Sequence, residues 1–127
     1  MSGVDSPYLQ GRSRYERAME GWVDNTHADA FTLTAQIRDD DLGVEVSAVA
    51  TPSPGYEIRE ARARILSGSA APEIVAGFGA LAGARMVVGG FTRRLVELTG
   101  GRPGSQHFID AAIEVARLAR QAAKLPP

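Results

Sequence analysis

The 127-residue chain contains no cysteine, two histidines, one tryptophan and little charge imbalance. Without cysteine there are no disulfide staples, no thiolate zinc sites, no iron–sulfur ligation by the chain itself and no thiol nucleophile. Two histidines, His27 and His107, exclude a three-histidine metal site within one chain. A net charge of −1 provides no cationic surplus of the kind that binding to nucleic acid phosphates requires. The longest apolar stretch, Ile74 to Ala84, is far below the ~20 residues that cross a bilayer, so no membrane span is expected. Residues 1–10 lack the basic and apolar regions of an export leader, which points to the cytoplasm. The G-x-S-x-G elbow and the standard glycine-rich nucleotide loops are missing as well.

What is present is ordinary globular material: 44% hydrophobic and 23% charged residues, enough for one domain over 1–127. Residues 1–10 read as a flexible arm. Residues 11–29 are ambiguous. Tyr15, Met19 and Trp22 are spaced for one face of a short helix that Gly21 and the polar run Asp24 to His27 would soon end. From Phe31 the period is two: Phe31, Leu33, Ala35 and Ile37 alternate with polar residues, and Val44, Val46, Ala48 and Ala50 repeat the pattern after Asp39-Asp40-Asp41. This predicts an antiparallel hairpin. Tyr56 to Leu66 fits a helix or a strand equally well by spacing, and topology favours a third strand returning beside the second.

The remainder is helical in character. Pro72 suits a first turn and starts a helix expected near 72–88, a second is expected over 91–99, and a third over 105–124 shows the clearest apolar stripe. Gly77, Gly79 and Gly83 lie in the first of these, and close packing against a neighbour is the expected reason. The fold class expected is α+β: two layers, with a three-stranded antiparallel meander over 31–66 covered by C-terminal helices in a helical layer over 72–125. So small a sheet leaves edges and a face for a homodimer or a companion enzyme subunit to cover.

Thirteen of the 14 basic residues are arginine, which favours planar, bidentate recognition of anions. Arg93 and Arg94 follow Gly89-Gly90 at the start of a short helix, where guanidinium and backbone N–H donors would jointly hold a carboxylate or phosphate. On the last helix His107, Asp110 and Glu114 share a stripe at i, i+3, i+7. It suits proton transfer by His107 oriented by Asp110, or weak binding of a metal by oxygen ligands.

The run GGFTRRLVELTGGRPGSQHFIDAAIEVARLARQ resembles the signature of bacterial domain-of-unknown-function family 2889, in which a Gly-Trp-x-Arg-Arg stretch precedes a Gly-Gly turn and a Gly-Cys-Thr-His-Leu motif. Gly90, Phe91, Arg93 and Arg94 match or nearly match the first, Gly100 and Gly101 the second, and Gly104, His107 and Phe108 part of the third. Ser105 stands where the family has cysteine, and a second family cysteine falls near Ser67 or Ser69. The order of elements is also similar to the NifU/IscU-like layout of iron–sulfur scaffolds. That likeness implies that Ser67, Ser69, Ser105 and His107 lie near one end of the sheet, with the soft ligands replaced. The family supplies no activity.

The function expected is a non-catalytic accessory or binding module for a partner protein or a small anionic ligand, with no cofactor. The alternative is a small enzyme with His107 as general acid or base, Asp110 orienting it and Arg93/Arg94 holding an anionic substrate. Both expectations bring the two arginines and the imidazole to one corner.

Overall fold

In the computed structural model, the described residues are 17–27, 30–51, 56–86 and 90–122. The arm read over 1–10, residues 52–55, Gly89 and the chain beyond 122 lie outside them. The architecture is α+β, with helices on one face of an antiparallel sheet. Four strands, not three, run in the order β1 (Ala18–His27), β2 (Ala30–Arg38), β3 (Leu42–Ala50) and β4 (Ile58–Gly68).

The added strand is β1, in the segment whose spacing suggested a short helix. Gly21 explains why its period was hidden. It pairs with Ala35 on the helix-facing side, where a Cβ would lie 2.6 Å from Leu118 Cδ1. The inward position at the centre of the strand therefore carries no side chain, and the large residue beside it, Trp22, points to the opposite face.

β4 is a strand, as topology favoured, and its helix-like spacing has a specific cause. Ala50 pairs with Ile58 but Val49 pairs with Glu60, so Arg59 is an extra residue at an irregularity in the ladder. That insertion sets Ile58 and Ala61 three apart while both remain on the inner face, with Ala63 and Ile65 following opposite Val46 and Val44. The β2–β3 turn is closed by Asp39, whose Oδ1 accepts the N–H groups of Asp41 and Leu42 at 2.8 Å each.

The helical layer consists of α1 (Pro72–Gly77), a 3₁₀ turn over Phe78–Leu81, α2 (Phe91–Thr99) and α3 (Ser105–Ala122). The first helix is much shorter than the 72–88 expected. Gly77 and Gly79 have nothing within 4 Å of a built Cβ, so close packing is not why they are glycine. With weak helix formers at those positions the α-helix gives way to a 3₁₀ turn, and Gly83 at φ 90° turns the chain away. Residues 83–86 then run beside the start of β4, where Ile58 N donates to Ala84 O (2.8 Å) and Gly83 N to Ile58 O (2.7 Å).

α3 lies across β1, β2 and β3, and the 3₁₀ turn packs on β4. The core between the layers joins Leu33, Ile37 and Val44 to Phe78, Leu95, Phe108 and Val115, all essentially inaccessible. Phe78 and Phe108 meet with ring centres 6.0 Å apart. The far face of the sheet carries no helix among the described residues.

Candidate functional site

Two groupings of the expected site residues occur, at opposite ends of the sheet. The first forms where the β2–β3 turn, the end of β4 and the start of α3 meet. Gly68 pairs with Leu42, Ala71 N donates to Pro103 O (2.9 Å), and a Cβ on Gly104 would lie 2.5 Å from Ala70 Cβ. His107 and Asp39 join across 68 positions of chain, His107 Nε2 lying 2.6 Å from Asp39 Oδ2. An ionised carboxylate only accepts, so the proton of this bond sits on Nε2. The Asp39 side chain is 4% exposed and that of His107 21%. With its other oxygen on the turn N–H groups, the Asp39 carboxylate ties the hairpin to the first turn of α3.

The partner assigned to His107 in sequence is therefore corrected. Asp110 does not orient the imidazole; it accepts from Arg17 (2.7 Å) and from Gln106 (2.7 Å). Three residues along a helix turn the side chain toward the start of β1, while His107 faces the β2–β3 turn. Glu114, the third member of the stripe, turns to Arg117, which donates from Nε (2.8 Å) and from its terminal nitrogen. That hydrogen-bonded pairing raises the Arg117 guanidinium above its ordinary value. Among the described residues no group of three or more histidines and carboxylates gathers as a metal site.

Ser67, Ser69 and Ser105 belong to this same end. Ser67 is opposite Gly43, over which its hydroxyl lies: a Cβ on Gly43 would be 2.7 Å from Ser67 Oγ. Ser69 is exposed and Ser105 half-buried. None of the three hydroxyls hydrogen-bonds to a base among the described residues, and so none is set up as a nucleophile.

Arg93 and Arg94 are elsewhere. They line a recess of about 330 Å³ with Ala84, Arg85, Gly90, Phe91 and Glu97. Its floor adjoins the chain that runs beside the start of β4, whereas His107 sits at the other end of that strand. Eleven strand residues separate the two ends by about 30 Å. The common corner of two arginines and an imidazole does not form, because α2 runs toward α3's first turn and packs antiparallel to it, which leaves its own first turn at the far end of the layer.

What forms at that far end is an arginine cluster larger than the sequence suggested. A second recess, of about 450 Å³, shares Gly90 and Phe91 with the first and adds Met86, Thr92, Ile113, Ala116, Arg117 and Arg120. Five guanidinium groups thus line two adjoining recesses, Arg85, Arg93 and Arg94 the first and Arg117 and Arg120 the second; among the described residues Glu97 is the one carboxylate in either lining, while Glu114 holds Arg117. Arg94 is anchored by donating to Ala80 O (2.8 Å). Arg85, Arg93 and Arg120 have no hydrogen bond or ion pair among the described residues. Gly90, at φ 95°, begins α2 without a side-chain cap, so the first N–H groups of the helix add their partial positive charge.

Arg85, Arg117 and Arg120 were missed in sequence because each looked like surface: Arg85 closes the apolar stretch, and the others sit on the polar side of α3. Arg85 reaches the start of α2 by running beside β4, and Arg117 and Arg120 do so by the packing of α2 beside α3. Compared with protein families, with characterised proteins and with solved structures, the chain matches none. No helix among the described residues is long and apolar enough to cross a membrane.

Proposed function

We propose that this chain is a non-catalytic binding module that holds an anionic group, a carboxylate or phosphate, at the start of α2, where the recess of Arg85, Arg93 and Arg94 adjoins that of Arg117 and Arg120. One observation carries the reading: three of these guanidinium groups, all exposed, have no partner among the described residues, whereas the more buried ions Asp39, Glu45, Asp110 and Glu114 are each paired. Guanidinium forks bind carboxylate and phosphate oxygens two at a time, and the capless start of α2 supplies further donors. Among the described residues no nucleophile or proton-transfer pair accompanies them, so retention of the ligand, as by an accessory protein serving a companion enzyme in the cytoplasm, fits better than turnover.

The apolar floor of the second recess, Met86, Phe91 and Ile113, favours an anion with an apolar body over a bare ion. The likeness of Gly90-Phe91-x-Arg93-Arg94 to family 2889 supports the same placement, and this chain reads as a cysteine-less, divergent member with the NifU/IscU-like layout. The test is titration with inorganic phosphate, succinate and octanoate, followed by amide NMR. Saturable shifts at Gly90, Phe91 and Thr92, lost in Arg93→Ala/Arg94→Ala, are expected. Shifts confined to the His107 end would overturn the proposal and favour the acid–base alternative at His107.

A further inference from the structure

The open face of the sheet has an uneven charge layout. β1, at one edge, carries Glu20 and Asp24 and neither lysine nor arginine; β4, at the other, carries Arg59, Arg62 and Arg64 against Glu60, with Arg64 also held by Glu45 of β3 at 2.7 Å. Gly21 faces α3, so by alternation Glu20, Trp22 and Asp24 face away from the helices. Pairing across the sheet sets them in rows. Trp22, Thr34, Ser47 and Arg62 share one row; Glu20, Gln36, Glu45 and Arg64 share the next.

From this layout we infer that the open face is the interface of a homodimer, two copies packing sheet to sheet about a two-fold axis that runs along the strands. Only that axis lays β1 of one copy over β4 of the other; an axis across the strands would stack acidic β1 on acidic β1. A two-fold contact requires a surface complementary to itself, and an acidic edge paired with a basic edge is such a surface. Row for row, the operation sets Trp22 over the partner's Arg62 and Glu20 over the partner's Arg64, each pair twice.

Trp22 is 46% exposed and the Arg62 side chain 81%. Among the aromatic rings the indole face attracts a cation best, and a guanidinium is its commonest partner. The third row sets Asp24 over the partner's Glu60, which opposes association. Four strands, with nine residues in β2, present a face of roughly 30 by 19 Å, on the order of 1,100 Å² over two copies and so at the low end of specific interfaces. The dimer should be weak and salt-sensitive. It is independent of the arginine opening, which lies on the helical side.

Trp22 is the only tryptophan, so its fluorescence reports the interface directly. Sedimentation and emission spectra are recorded from micromolar to millimolar concentration. A monomer–dimer equilibrium is expected, with emission shifting to the blue as the dimer fills. Arg62→Glu raises the dissociation constant roughly ten-fold or more. Glu60→Gln lowers it, a gain that misfolding cannot imitate, and the double charge exchange Glu20→Arg/Arg64→Glu restores the affinity that either change alone removes. A monomer at all concentrations, or a dimer indifferent to Arg62→Glu and Glu60→Gln, overturns the inference.

Discussion

The two ends of the sheet hold similar residue types and use them in opposite ways. At the hairpin end the polar groups satisfy one another: Asp39 takes two turn N–H groups and the His107 imidazole, and Asp110 takes Arg17 and Gln106. At the other end, guanidinium groups gather around Gly90 and Phe91 with few partners. A buried carboxylate with three donors lowers the energy of this fold and leaves little for a substrate. Unpaired arginines do the reverse: they add little to stability and keep their donors for a ligand. The lesson is that hydrogen-bond saturation, and not residue chemistry alone, separates an imidazole that fastens a hairpin from arginines that recruit an anion.

Substitutions that divide the two ends should divide stability from binding. The largest loss is expected for Gly68→Ala. Gly68 sits at φ 75°, and a Cβ there would lie 2.0 Å from Asp41 O, a backbone atom that cannot swing aside. About 3 kcal/mol or more of unfolding free energy should be lost, measured by urea denaturation. Next is Asp39→Ala, which strands two turn N–H groups and the imidazole for about 2–3 kcal/mol. Asp39→Asn keeps the turn acceptor and should cost less. Neither Asp39 variant should alter anion affinity where it folds; a large change in affinity would mean that the two ends are coupled.

Much of this contrast was out of reach of sequence reading. The alternation of Leu33, Ala35 and Ile37, and of Val44, Val46 and Ala48, made the hairpin legible, and the step of three and four from Phe108 made α3 so. β1 escaped because its central inward residue is Gly21, whose missing side chain is the imprint of Leu118. Asp39 read as turn chemistry, correctly as far as it went, but no local pattern encodes a bond to a histidine 68 positions away. The arginine end was half legible: Arg93 and Arg94 follow a glycine into a helix, whereas Arg117 and Arg120 reach the neighbouring recess only through the packing of α2 on α3.

At the arginine end, Arg93→Ala should leave unfolding free energy within about 0.5 kcal/mol of the parent, because its side chain is exposed and unpaired. Calorimetric titration with octanoate should nevertheless show the affinity falling several-fold. Arg94→Ala should lose slightly more stability, since it also gives up the bond to Ala80 O. Equal losses of stability from Arg93→Ala and Asp39→Ala would erase the distinction between the ends.

The smallest effect belongs to the open face between them. Arg64 donates to Glu45 from Nε at 2.7 Å, and Gln36 donates to the same carboxylate at 2.8 Å. The hydrogen bond from Arg64 is the main reason that the Glu45 carboxyl is held below its ordinary value, with Gln36 and the charges of Arg64 and Arg38 helping and partial burial opposing. A carboxyl that is more acidic folded than unfolded stabilises the fold above the ordinary glutamate range, near about pH 4.3, and that contribution fades as pH falls through the lower folded value. Stability measured between pH 6 and 3 should therefore decline less steeply in Arg64→Ala than in the parent, with the two curves converging at the acid end. Because Arg64 is largely exposed, the gap should also narrow in high salt. A parent curve no steeper than the variant's would show that the Glu45–Arg64 pair adds nothing to the fold.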